Sequence, residues 1–261
     1  MLVCLVLGLV LLLFAFDNKL VLRTYSIDTD KLNGASLRMV LIADLHSTIY
    51  GSDQQPLIQG VLAQKPDLIV LTGDIADDEV PIKGTELFLA GIAGVAPIYY
   101  VTGNHEYWSD DLQTILDTIS SYGVQILSDE YREIELNGVQ LTIAGVEDPA
   151  KPAYNQAESM AQAFVSLPAS DFSILLAPER LAEYIKHPFD LVLSGHAHGG
   201  QARVPLLING LFAPNQGPFP KYAGGLYKHG VLQHVVSRGA GIDPILPRLF
   251  NPPEIVLLVL E

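Results

Sequence analysis

The sequence predicts an α/β fold, one domain built from two packed sheets, and three observations carry that prediction. Over residues 37–121, short apolar runs alternate with segments of helical spacing, the order expected of a largely parallel sheet covered by helices. From residue 123 onward β-type segments dominate, and Asn137-Gly138 is a hairpin turn signal. No internal repeat, low-complexity tract or clear boundary divides the chain after residue 36.

The elements follow in order. Residues 1–16 are apolar without interruption, and Asp17-Asn18-Lys19 ends the run. A helix of that length covers about 24 Å, slightly short of a ~30 Å hydrocarbon core. No Lys or Arg precedes it and Phe14-Ala15-Phe16 is a poor cleavage site. An uncleaved membrane anchor therefore fits better than a signal peptide; a buried element is the third alternative. Lys19 and Arg23 follow the run and favour, on few charges, a cytoplasmic domain. The expected organisation is a single-pass membrane anchor over residues 1–18, a polar connector over 19–36 and one domain over 37–261.

Within that domain, residues 37–43 read as a buried strand ending in Asp44-Leu45-His46. Residues 54–64 have helical spacing, with Pro66 beyond their end. A second strand, 67–71, runs into Thr72-Gly73-Asp74, and a helix covers 86–93. A third strand, 97–101, runs into Thr102-Gly103-Asn104-His105-Glu106, and a helix over 110–121 stops at Gly123. Strands are expected at 123–127, 131–136 and 139–144, a helix at 156–165, a strand at 172–176 and a short helix at 179–185. The run 189–193 is the strand before Ser194-Gly195-His196-Ala197-His198-Gly199-Gly200-Gln201. A Pro/Gly-rich loop over 205–225 and strands at 231–237 and 255–260 complete the chain.

The formal net charge of −14 argues against sequence-independent binding to nucleic acid or to an anionic membrane surface. Such a protein still acts on phosphates if metal ions make its site locally positive. The single cysteine, Cys4, excludes a disulfide framework and a cysteine metal cluster.

Ligands of open α/β sheets gather at the carboxyl ends of strands. Three successive strands deliver Asp44 and His46, then Asp74, then Asn104 and His105 to that edge. His196 and His198, at i and i+2 on extended backbone, share one side after a fourth strand. Any one of these reads as a turn former, a helix cap or a polar loop; their arrival in series at strand ends points to a metal centre. His229 and His234 stand outside the motifs and read as surface or satisfied histidines.

In order and approximate spacing, Asp44-x-His46, Gly73-Asp74, Gly103-Asn104-His105-Glu106 and Gly195-His196-x-His198 resemble the calcineurin-like metallophosphoesterases. Pro220-Lys221-Tyr222, Ser237-Arg238-Gly239 and Asn251-Pro252-Pro253-Glu254-Ile255 extend the likeness to the bacterial branch of membrane-anchored or exported phosphodiesterases. The resemblance implies a four-layer α/β/β/α sandwich, here preceded by an N-terminal apolar helix, and a centre of two divalent metal ions. Asp74 would bridge the two; Asp44, His46 and His198 would complete the first site, and Asn104 and His196 would serve the second. Mixed oxygen and imidazole ligands suit Mn, Fe or Zn rather than Ca. Two such ions clamp a phosphate and generate a nucleophile from water at neutral pH. His105 is the candidate general acid. Glu106 either holds the His105 ring or is an exposed loop acid.

One departure stands out. The family supplies a further second-site histidine in a Leu-Leu-x-His-x-Pro-Glu type of segment after the strand matching 172–176. This chain reads Leu175-Leu176-Ala177-Pro178-Glu179-Arg180, as if two residues were missing. His187 precedes the next strand, at its wrong end. Glu179 is the nearby ligand-type residue, though Glu at a helix start is commonly just favourable to the helix dipole. The expected function is hydrolysis of a phosphodiester or pyrophosphate, with a small or lipid-linked substrate such as UDP-2,3-diacylglucosamine suggested by membrane-associated relatives. The alternative is a degenerate member that binds metal with little or no catalysis. Arg203 and Arg238 have the chemistry for a substrate phosphate but also for an ordinary surface.

Overall fold

Inward- and outward-facing residues alternate along nearly every central strand, and that alternation builds the layers. The computed structural model describes residues 15–168, 171–179, 182–205, 207–242 and 246–261. The strands in chain order are β1 (Val21–Ile27), β2 (Leu37–Ile42), β3 (Leu68–Thr72), β4 (Ile98–Val101), β5 (Gln125–Ile126), β6 (Glu130–Leu136) and β7 (Val139–Gly145). They continue as β8 (Phe172–Leu176), β9 (Leu191–Ser194), β10 (Phe212–Ala213), β11 (Gly217–Pro218), β12 (Gly225–His229), β13 (Leu232–Val236) and β14 (Glu254–Leu260). The helices are α1 (Gln55–Leu62), α2 (Lys83–Ile92), α3 (Asn104–Trp108), α4 (Leu112–Ser121) and α5 (Gln156–Ala163).

Two six-stranded sheets form, one ordered β1-β14-β2-β3-β4-β5 and the other β12-β13-β9-β8-β7-β6. Met39 and Leu41 of β2, Leu68 and Val70 of β3, Phe172 and Ile174 of β8, and Leu191 and Leu193 of β9 share one core between the sheets. Their neighbours point the other way. Val40, Ile42, Ile69 and Leu71 pack with Leu57 and Val61 of α1, Phe88 of α2 and Ile119 of α4. Ala144, Leu175 and Val192 pack with Met160 of α5 and with Tyr184 and Phe189. The period of two thus sorts apolar residues into a central core and two outer ones, giving helix, sheet, sheet and helix layers.

Several boundaries differ from expectation. The expected connector, 19–36, contains β1, an edge strand paired in parallel with β14 alone. Its burial alternates strictly until Ile27, and Arg23, Thr24 and Ser26 dilute its apolar character, which hides it in the sequence. The short helix expected at 179–185 is a 3₁₀ turn at Ala182–Lys186. The Pro/Gly-rich loop ends in β12, whose residues are only half buried. The apolar run 1–16 lies, but for Ala15 and Phe16, outside the described residues. Among the described residues, no helix is long and apolar enough to cross a membrane. The Ala15 carbonyl accepts a hydrogen bond of 2.7 Å from the Phe250 amide.

Candidate metal centre

Register brings the site together. β2, β3 and β4 run parallel, with Ile42 beside Leu71 and Leu71 beside Tyr100, so their carboxyl ends lie level. In the other sheet β8 and β9 are also parallel, with Leu176 beside Leu193. The loops leaving β2 and β3 carry Asp44, His46 and Asp74, α3 opens after β4 with Asn104 and His105, and the segment leaving β9 carries His196 and His198. The two sheets meet here: the His196 amide donates to Asp44 Oδ1 at 2.7 Å. Asp74 Oδ1 accepts from the His105 amide at 2.9 Å.

These loops are tightly bent. Asp44, His46, Asp74, His196 and His198 all have positive φ, a concentration of costly backbone that packing must hold in place. Two glycines let the carboxylates approach the main chain. A Cβ on Gly103 would stand 2.2 Å from Asp74 Oδ1, and one on Gly195 2.5 Å from Asp44 Oδ1.

The imidazoles divide into two groups. His46 Nε2 and His198 Nε2 face each other at 3.3 Å, with the rings stacked. His196 shares a pocket of about 390 Å³ with Asn104, Trp108, Asp148, Glu179 and Asn215. Residues that sequence reasoning did not single out orient the rings. Asp77 Oδ2 accepts from His46 Nδ1 at 2.9 Å, and Asp78 Oδ1 lies 2.6 Å from His105 Nδ1. Carboxylates behind histidines fix ring orientation and tautomer. The one sequence cue was that two acids follow Asp74 by three and four residues. His46, Asp77 and His105 are close enough to hold an ion themselves, but the hydrogen bonds above favour Asp77 as the orienting partner.

Electrostatics point to a cation. Asp44 is pushed up to about 6, chiefly by burial, against the opposing charge of His46 and the hydrogen bond from His196. Burial likewise holds Asp74 well above the ordinary carboxylate range. For His46, burial works to lower the pKa, but the Asp77 hydrogen bond and the charges of Asp74 and Asp44 raise it to about 9. His196 is lowered to about 4, first by burial and then by the other histidines. Asp44 Oδ2 and Asn104 Oδ1 are buried with no hydrogen-bond partner among the described residues. Buried oxygens without donors are costly, and a divalent cation satisfies them. Oxygens of Asp and Asn together with imidazole nitrogens form a donor set that fits Mn, Fe or Zn.

Glu106 corrects its expectation on both counts. It is fully buried, and its carboxylate accepts from the amides of Gly103 at 2.7 Å, Ala76 at 2.9 Å and Asp74 at 3.0 Å. It clamps the β3 and β4 loops rather than holding His105. Arg238 is tied up with Glu254, which also pairs with Arg23. Arg203 bonds the Gly199 carbonyl and the Asn209 side chain. His234 is a buried, satisfied histidine, bonded to Ser194 Oγ at 2.7 Å. Arg248, unnoticed in the sequence, is buried and electrostatically favourable to Asp44.

Residues 37–200 match the sequence profile of the calcineurin-like phosphoesterases. The chain belongs to that family. An uncharacterised metallophosphoesterase of Helicobacter pylori is 32% identical over 237 residues, covering 88% of this chain. The chain spans 60% of that relative's length. Phosphodiesterase YaeI of Escherichia coli is 30% identical over 247 residues, covering 88% of this chain and 84% of the relative. Among solved structures, the sulfate thiohydrolase SoxB of Thermus thermophilus aligns with a TM-score of 0.52 at 12% identity, covering 90% of this chain and 57% of SoxB. That likeness concerns the fold alone.

Proposed function

We propose that this chain is a metal-dependent phosphoesterase that hydrolyses a phosphodiester or pyrophosphate bond. The observation that carries the reading is the convergence of Asp44, His46, Asp74, Asn104, His196 and His198 around buried oxygens that have no hydrogen-bond partner among the described residues. In this reading Asp74 would be shared between two metal sites, Asp44, His46 and His198 would hold one, and Asn104 and His196 would hold the other. Bound divalent cations supply Lewis acidity and a nucleophile drawn from water. The chain's own groups do the rest. His105, held by Asp78 through Nδ1 and packed edge-on against His46 at 4.4 Å, would protonate the leaving oxygen from Nε2. Trp108, exposed and 5.0 Å from the His105 ring, offers a stacking face at the mouth of the pocket.

The substrate is assigned to a membrane-associated class, with UDP-2,3-diacylglucosamine as the suggested member. Support comes from the loop that carries Pro214 and Asn215 into the pocket, which also exposes Leu207, Leu211, Phe212 and Phe219. Residues 1–18 are assigned as a single-pass anchor and 37–261, together with β1 of its first sheet, as the catalytic domain; nucleic acid is not a partner. The Ala15–Phe250 hydrogen bond ties the end of the apolar run to the domain near the site, because the residue after Phe250, Asn251, donates to the His198 carbonyl at 2.7 Å.

Hydrolysis of bis(4-nitrophenyl) phosphate with added Mn tests this. Turnover that vanishes in Asp74→Asn is expected; no turnover in the unaltered chain refutes the reading. The loss of two residues between Ala177 and Pro178, which removes the family's second-site histidine, favours the alternative of metal binding without catalysis, which would appear as bound metal and no hydrolysis.

A further inference from the structure

We infer that Glu179 replaces the absent histidine as a ligand of the second metal site, a role that rests on the metal-centre reading above. The deletion draws the chain in tightly after β8. Pro178 sits so close to the Asp74 loop that a Cβ on Gly73 would lie 3.0 Å from Pro178 Cβ, and its carbonyl accepts from the Gly195 amide at 3.2 Å. The next residue is thereby set opposite His196, with Glu179 Oε2 3.5 Å from His196 Nε2. Asn215 Nδ2 donates to Glu179 Oε2 and lies 3.2 Å from His196 Nε2, so one amide steadies both groups.

The ordinary explanation of a Glu at a helix start does not fit, because this carboxylate is buried in the pocket and bonded to Asn215. An independent observation marks the pocket as a cation site. Asn104 Oδ1 and Asp148 Oδ2, on residues only 5% and 3% exposed, line it with no hydrogen-bond partner among the described residues. Two carboxylates, an amide oxygen and an imidazole with no facing cationic side chain among the pocket's lining residues form a donor set for a divalent ion. A carboxylate in place of an imidazole makes this second site harder and more oxygen-rich than the first.

The test counts metal. The intact chain is stripped with chelator, dialysed against MnCl2, and read by elemental analysis and by electron paramagnetic resonance. Two Mn per chain with an exchange-coupled spectrum are expected. Glu179→Gln should lose the coupled spectrum and bind the second ion at least about tenfold more weakly, since loss of an outer-shell partner alone costs that much. Glu179→His should keep both ions. Two ions bound by Glu179→Gln with unchanged affinity, or one ion bound equally by it and the unaltered chain, would overturn the inference and leave the metal-centre reading standing. No ion bound by the unaltered chain would sink the metal-centre reading itself. Anomalous scattering from a Mn-soaked crystal of the unaltered chain decides even if the variants do not fold: a peak about 2.2 Å from the Glu179 carboxylate is expected, and a second-site peak away from it refutes the role.

Discussion

Replacing Glu106 by glutamine separates a structural clamp from a catalytic accessory. Glu106 Oε2 accepts from the Asp74 and Gly103 amides and Oε1 from the Ala76 amide, all in a fully buried setting. A glutamine keeps one oxygen and turns an NH2 toward at least one of these donors. Leaving one buried amide unsatisfied costs about 1–3 kcal/mol, and making the remaining bonds neutral costs about 1 kcal/mol each. Relief of a buried charge offsets part of this, so the net loss is about 2–4 kcal/mol. For a chain of this size that corresponds to a fall in Tm of roughly 4–16 °C. Because the displaced loops carry Asp74 and Asn104, Mn affinity should fall as well. The assay is thermal unfolding of the metal-free chain followed by Mn titration. A Tm within about 2 °C of the unaltered chain together with unchanged Mn affinity would refute the clamp. A selective loss of kcat with unchanged stability would instead restore the idea that Glu106 serves His105.

Asp78→Asn should lower kcat about 10–100-fold with little change in KM, because His105 loses its orienting carboxylate; steady-state kinetics on the aryl phosphodiester check it. Trp108→Ala should raise KM about 2–12-fold for an aromatic substrate and spare kcat, the size of one stacking contact; an equal effect on a non-aromatic substrate would refute stacking. Mn at 100 times its Kd should stabilise the chain by about 2.7 kcal/mol, or roughly 5–11 °C, and EDTA should reverse it in a melting experiment. Glu147, the neighbour of Asp148, supplies a pH dependence of its own. Burial works to raise its pKa, but the hydroxyls of Ser128, Tyr107 and Thr102 and the charge of Lys151 bring it below the ordinary 4.5. With the folded value below the unfolded one, its contribution is complete above the unfolded pKa and is lost as pH falls through the folded value. The stability advantage over Glu147→Gln should therefore shrink in denaturant titrations as pH drops below 4.5.

The parts of the site that were legible in the sequence share a physical cause. Asp44, Asp74 and Asn104 each follow an apolar run buried on both faces, and such a run fixes where its next residues emerge. The same logic located β8 to the residue. What stayed hidden depends on contacts between loops. Asn215 reaches Glu179 across 36 positions from a Pro/Gly-rich loop with no period to follow. Asp77 and Asp78 look like ordinary turn acids until their partners are placed. β1 escapes the sequence because an edge strand whose solvated row holds Thr24 and Ser26, with Arg23 on its other face, carries little apolar signal.

The order of strands in the first sheet has a consequence for how the molecule is made. β14 lies between β1 and β2, parallel to the one and antiparallel to the other. It begins at Glu254, whereas the strands it joins end at Ile27 and Ile42. During synthesis the early strands therefore wait for almost the whole chain, with β1 unpaired and one edge of β2 open. Such distant pairing slows folding, and open edges invite capture by other chains. Termination before Glu254 would leave β1 with no strand to join and β2 with a bare edge.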